Sequence, residues 1–241
     1  MKSRLKAYRV KTYGKNSDKV VFLYCPFGIR RWQLRLPFLP IERLIKHGYQ
    51  VVVFDFNVRR VTSSAQEVFA ILDAVKADTE KRISVLKRHG VTNISVFGTS
   101  MGTQFAMYVA ASLPEIRKVV LNLAYGDLYE QMLAFPEMRF LSKERIENFM
   151  KSAGSSNDLQ ARARQYSSVV LAPKFKGRDV LLYLAREDKV LPYSISRKFK
   201  SALEKHGAHV TYLENNADSH YRAALRNHLN SKEYLAFLDK K

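Results

Sequence analysis

Apolar residues along this chain gather into short runs bounded by polar or turn-forming residues. Val20-Val21-Phe22-Leu23-Tyr24 is continuously apolar, the pattern of a central strand buried on both faces. Lys19 to Cys25 therefore reads as a strand, and Leu5 to Tyr13 as another, joined to it by a turn at Gly14-Lys15-Asn16-Ser17-Asp18. Tyr49 to Phe56, Ile94 to Phe97, Arg117 to Leu123, Asp179 to Ala185 and His209 to Leu213 repeat the strand pattern. Helical spacing fills the intervals. It predicts helices at Pro40 to Lys46, from the Ser63-Ser64 cap to about Arg88, at Gln104 to Ala111, at about Ser194 to Lys205 and at about Tyr221 to Leu238. His47-Gly48 and His89-Gly90 stop the first two, and Pro114 breaks the third. Alternating strands and helices imply a mostly parallel sheet covered on both faces, that is, an α/β fold.

The rhythm breaks from about 126 to 176. Leu128–Leu133 and Lys143–Lys151 carry helical patterns, Gly154-Ser155-Ser156-Asn157-Asp158 is a polar break, and no strong strand signal occurs. The expectation is one domain over 1–241 with a small helical insert at about 126–176. Neither internal repeats nor low-complexity segments are evident.

Composition leaves this picture intact: 241 residues, 46% hydrophobic and 26% charged, suit a globular domain. No apolar run approaches the roughly 20 residues that span a bilayer. The basic start Met1-Lys2-Ser3-Arg4-Leu5-Lys6 lacks the apolar stretch of a signal peptide, so a cytoplasmic location is the default expectation. The one cysteine, Cys25, excludes an intrachain disulfide and a cysteine-based zinc site, and no metal or cofactor is expected. Net charge does change the picture. At +19, with pairs such as Arg30-Arg31, Arg59-Arg60 and Lys87-Arg88 spread along the chain, it raises attraction to a polyanion: nucleic acid, anionic lipid, or an acidic substrate or carrier. A merely solubilising charge is the plainer reading, and no specific nucleic-acid motif accompanies it.

The candidate chemistry centres on Gly98-Thr99-Ser100-Met101-Gly102, which lies between the strand Ile94–Phe97 and the helix that follows. Strand, Gly-x-Ser-x-Gly, helix is the context of a nucleophile elbow. A sharp turn lifts one serine above the sheet edge in a strained conformation, and the two glycines let strand and helix pass closely. Ser100 then sits at a helix N-terminus, where amide N–H groups and the helix dipole favour developing negative charge. An ordinary capping serine in a glycine-rich turn is the alternative.

A serine nucleophile needs a base and a group to orient it. His47, His89 and His206 each precede a glycine at a helix end, His209 opens a strand, and His228 lies inside the last helix. His220 alone falls in a loop, just past the last strand, where open α/β sheets gather ligands. For the acid, Asp188 follows the strand Val180–Leu184, one unit before His220. Glu187 is its neighbour, Asp127 follows the preceding strand, and Asp55 ends a strand but precedes Ser100.

With Ser100, Asp188 and His220 in this order, the chain resembles the α/β-hydrolase superfamily over nearly its whole length. Gly98-Thr99-Ser100-Met101-Gly102 matches its Gly-x-Ser-x-Gly motif, Glu187-Asp188-Lys189-Val190-Leu191-Pro192 looks like its acid-bearing loop, and Ser219-His220 takes the place of its histidine. The resemblance implies an α/β-hydrolase fold and an oxyanion hole built from the amides of Met101 and Phe27, with Gly28 as fallback. Cys25-Pro26 stands where members commonly carry His-Gly, and Pro26 has no N–H to give. The 126–176 insert sits where many members carry a cap. The implied activity is a serine hydrolase acting on a small-molecule carboxylic ester or thioester. Loss of His-Gly points to the alternative, a non-catalytic or non-hydrolytic binding protein of the same fold.

Overall fold

A computed structural model of the chain describes residues 7–26, 33–37, 39–61, 63–124, 126–129, 143–152, 156–217 and 219–240. The apolar runs become β1 (Tyr8–Tyr13), β2 (Lys19–Tyr24), β3 (Gln50–Phe56), β4 (Asn93–Thr99), β5 (Lys118–Asn122), β6 (Asp179–Ala185) and β7 (His209–Asn215). They form one seven-stranded sheet in the order β1-β3-β2-β4-β5-β6-β7. β1 pairs antiparallel to β3, with Tyr8 opposite Phe56, and every other pairing in the sheet is parallel. Val20 to Tyr24 of β2 are buried on both faces, which is why that strand reads as an unbroken apolar run. The edge strands β1 and β7 are largely polar and half-exposed.

Between the strands lie α1 (Pro40–Lys46), α2 (Val58–Val61), α3 (Ala65–Arg88), α4 (Met101–Ser112), α5 (Lys143–Ser152), α6 (Ser156–Arg164), α7 (Ser168–Leu171) and α8 (Tyr193–Lys205), and α9 (His220–Leu229) and α10 (Ser231–Asp239) follow β7. Ser64 caps α3 by accepting from the Glu67 amide at 3.1 Å, with glutamate at the third helical position as a capping box requires. His47, His89 and His206 stand at the C-caps of α1, α3 and α8, each followed by a glycine with φ near +80°. These are the helix-end positions that their place before glycine predicts.

The sheet divides the core in two. Phe22 and Phe54 face α3, α4 and α8 through Phe69, Leu72, Phe105 and Phe199. On the other face Val21, Leu23 and Tyr183 meet Leu44 of α1 and Tyr234 and Leu238 of α10. Each fully buried valine, leucine or phenylalanine among them contributes roughly 1.5–3 kcal/mol. Phe105 stacks on Phe56 at 4.1 Å between ring centroids, which fixes α4 over the end of β3.

Three expectations need correction. The single helix expected at Tyr221–Leu238 is two, α9 and α10, divided at Asn230, whose ψ of 58° leaves the helical region. The two pack in different places: α9 sets Ala223 and Ala224 against Leu123 and Ala185, whereas α10 covers the face that holds Val21 and Leu23. The helix after the glycine motif begins at Met101, not Gln104. Ser156-Asn157-Asp158, read as part of a polar break, opens α6, because serine and aspartate suit a first helical turn. The Lys143–Lys151 helix forms as α5, and the Leu128–Leu133 pattern falls mostly outside the described residues. Described residues between β5 and β6 contain helices and no strand.

Candidate active site

Strand order directs attention to one place. β2 has β3 on one side and β4 on the other, so the chain reverses its direction of travel across the sheet at this point. Such a switch opens a crevice outside the carboxyl ends of the two strands. β4 ends at Thr99, and Ser100 follows it into that crevice.

Ser100 has φ 52° and ψ −126°, a region that ordinarily costs a non-glycine residue about 1–3 kcal/mol. Its surroundings hold it there. The Ser100 amide donates to the Asn122 carbonyl of β5 at 2.8 Å, and its own carbonyl accepts from the Thr103 amide at 2.8 Å and the Thr103 hydroxyl at 2.6 Å. Both glycines of the motif are sterically required. A Cβ on Gly98 would lie 2.6 Å from Thr103 Cα in the first turn of α4, and a Cβ on Gly102 would collide with the Tyr24 carbonyl of β2. The absence of both side chains lets α4 descend between β4 and β2.

Ser219 caps α9 by accepting from the Arg222 amide at 3.3 Å, which makes His220 the first residue of the helix and turns its ring toward β4. His220 Nε2 lies 2.7 Å from Ser100 Oγ, across 120 residues of sequence. His220 Nδ1 lies 2.6 Å from Asp188 Oδ2. An ionised carboxylate only accepts, so Nδ1 carries the ring proton and Nε2 is left to accept from the serine hydroxyl. Asp188 Oδ1 accepts from the amides of Val190 and Leu191, both at 2.9 Å, which locks the carboxylate plane. Both side chains are almost wholly buried, at 6% exposure for His220 and 1% for Asp188. Their mutual attraction is thus little screened by solvent.

The structure thus brings together the three residues singled out in the sequence, and the rivals go elsewhere. Asp127 accepts from the Tyr129 amide at 2.8 Å and the Ser167 hydroxyl at 3.0 Å. Glu187 is exposed, and Asp55 is half-buried within β3. Met101 is buried at the first turn of α4. Phe27 and Gly28, expected to complete an oxyanion site, lie outside the described residues, as do Arg30 and Arg31. Among the described residues, no cluster of His, Cys, Asp or Glu could hold a metal ion, and no helix is long and apolar enough to cross a membrane.

One set of residues escaped the sequence reading. Beneath Ser100, Asn122 of β5 donates to the Ala224 carbonyl of α9 at 3.1 Å and accepts from Asn227 at 2.8 Å. Asn227 in turn accepts from Asn215 of β7 at 2.9 Å. His228 Nε2 lies 3.2 Å from Thr99 Oγ1 and 3.4 Å from Asn122 Nδ2. This buried polar layer ties α9 to the carboxyl ends of β4, β5 and β7, and so fixes the helix that begins at His220. Full burial pushes the His228 ring down to about 4. The available signal was Asn122 itself, a polar residue inside the apolar run Val119–Leu123, which demands buried partners.

No protein-family model matches the chain, and no curated protein matches it in sequence. Solved structures do match in shape. A cold-adapted esterase from an Arctic intertidal metagenomic library superposes with a TM-score of 0.62 at 15% identity, over 97% of this chain and 95% of that one. An esterase of Pyrococcus furiosus gives 0.63 at 20% identity, over 92% and 81%. An acylaminoacyl peptidase of Pyrococcus horikoshii gives 0.66 at 14% identity, over 99% of this chain and 42% of that longer one. Identities this low speak for the fold alone. With its strand order, its one antiparallel edge and these likenesses, the chain has the α/β-hydrolase fold.

Proposed function

We propose that the protein is a serine hydrolase that cleaves a carboxylic ester or thioester through an acyl-enzyme on Ser100. One observation carries the reading: the unbroken relay from Asp188 Oδ2 through His220 Nδ1 and Nε2 to Ser100 Oγ, with contacts of 2.6 and 2.7 Å. In it, Ser100 Oγ attacks the acyl carbon as His220 Nε2 takes its proton, and Asp188 stabilises the resulting imidazolium. The tetrahedral intermediate places its oxyanion at the N-terminus of α4, where the Met101 amide donates, with Phe27 assigned as the second donor. Collapse breaks the bond to the leaving group, which takes the proton back from His220. Water, deprotonated by the same nitrogen, then attacks the ester on Ser100 and releases the free acid and the serine. The esterases among the solved structures of the same shape support this class of bond. The helices between β5 and β6 would cover the acyl group.

The test is labelling by a fluorophosphonate together with turnover of short-chain p-nitrophenyl esters and acyl thioesters. Wild type should react with both, and Ser100→Ala with neither while it keeps its folded circular dichroism. A wild-type protein that neither labels nor turns over any ester would return the fold to a binding role.

A further inference from the structure

Large apolar side chains scattered singly over a surface need no explanation. On this protein they are not scattered evenly. Three of the eight exposed ones among the described residues lie on α9: Tyr221 at 56% exposure, Leu225 at 46% and Leu229 at 50%. They recur at every fourth residue, so they form one stripe along the helix. Arg222 and Arg226, also exposed, line the flank of the stripe that faces solvent, and Lys232 of α10 lies just beyond its end. No acidic residue occurs in α9. The opposite face is the one anchored by Ala223, Ala224, Asn227 and His228. Thus the helix is rigidly seated, and its outer surface is half apolar and half cationic.

We propose that this face docks the protein on an anionic lipid surface. A helix with leucines and a tyrosine on one flank and arginines on the other lies naturally in the interfacial plane. Its apolar residues enter the acyl boundary while the guanidinium groups meet lipid phosphates. The charge of the whole chain, +19, has the sign that such a surface attracts. The stripe starts one residue from the candidate base, with the Tyr221 ring 5.9 Å from the His220 ring. Docking through α9 would therefore turn the crevice at Ser100 toward the bilayer, and the substrate class becomes an acyl ester taken from a lipid surface. That last step rests on the serine-hydrolase reading, whereas the docking itself does not.

The experiment is co-sedimentation with phosphatidylcholine vesicles that either contain or lack phosphatidylserine, alongside turnover of a water-soluble ester. Wild type should sediment with the anionic vesicles and remain in solution with the neutral ones. Leu225→Asp/Leu229→Asp should lose tenfold or more in partitioning, and Arg222→Gln/Arg226→Gln about fivefold per arginine, since each basic residue near an anionic surface is worth about that factor. Both variants should turn over the soluble ester as wild type does, which also reports that they fold. Equal sedimentation of the leucine variant would mean that bulk charge alone binds the vesicles, and would overturn the proposal. So would a wild-type dimer in solution that the leucine variant dissolves, because the stripe would then belong to a second copy. Ser100→Ala should bind vesicles normally. Intact vesicle binding by a protein without esterase activity would sink the hydrolase reading alone, and lost binding with normal ester turnover would sink the docking alone.

Discussion

Asp188 and Asp127 occupy matching stations in the fold. Each stands in the loop beyond the carboxyl end of a parallel strand, Asp188 after β6 and Asp127 after β5. Each turns its Oδ1 onto the backbone amide two residues ahead, at 2.9 Å for Val190 and 2.8 Å for Tyr129. Both bonds run to the residue two places ahead, and Asp188 Oδ1 takes the Leu191 amide as well. They differ in what the second oxygen meets: the His220 ring for Asp188, the Ser167 hydroxyl for Asp127. That partner comes from a distant segment in both cases, brought in by β7 and α9 on one side and by the α6–α7 junction on the other. The partner of each carboxylate is thus set by the chain that crosses its second oxygen, not by its own loop.

The sharpest way to break this comparison is by amide substitution. Asp188→Asn should lower kcat for a p-nitrophenyl ester by as much as about 10⁴-fold, because an amide donor at Nδ1 selects the wrong imidazole tautomer. Asp127→Asn should cost less than about tenfold, since it touches neither the ring nor the serine. Comparable losses in steady-state kinetics would mean that the two stations share the work.

Acid supplies the next largest effect, through the helix that delivers His220. His228 is buried and neutral, with its proton affinity lowered from the ordinary 6.5 to about 4. A lowered value in the folded state means that protons favour the unfolded chain. The stabilisation is complete above about pH 6.5 and is lost as pH falls from there toward about 4. Between about pH 7 and about pH 5 the loss should be on the order of 2 kcal/mol in urea unfolding. His228→Gln, which cannot take up a proton, should flatten that limb. An unchanged acid limb in the variant would remove His228 from the account.

The narrowest contrast is the difference in stability between the two carboxylate variants. Asp188→Ala removes the partner of the Val190 and Leu191 amides and of a buried imidazole and should cost about 2–3 kcal/mol, more than Asp127→Ala, which removes the partner of the Tyr129 amide and the Ser167 hydroxyl. Denaturant midpoints on the two variants would measure the difference, and equal costs would contradict the asymmetry of their partners.

The sheet was legible because its strands are buried on both faces and so read as apolar runs, from Val20–Tyr24 to Val180–Leu184. Ser100 was legible because the turn leaves a local imprint: Gly98 and Gly102 are forced by atoms of Thr103 and Tyr24 that any such turn would bring near. His220 was found by its place after a strand, and Asp188 by strand order. Neither residue's neighbourhood encodes the contact between them. What the sequence hid was long-range and polar. Asn122 calls for a buried partner, but nothing in its segment announces that Asn227 and His228, more than 100 residues on, supply it. The break at Asn230 was hidden for a related reason: both halves have helical periodicity, and only the two different surfaces they cover separate them.

The strained backbone at Ser100 also has a history within each molecule. Its amide is satisfied by Asn122, a residue made after it, and α4 can descend only where β2 already lies beneath Gly102. The segment Gly98–Gly102 by itself would relax to an ordinary turn. Three strands that are distant in the chain must first align, the kind of non-local pairing that slows folding. His220 follows Ser100 by 120 residues. The contact between Ser100 and the candidate base therefore forms only after the chain as far as His220 has been made, so the motif is translated long before the candidate site exists.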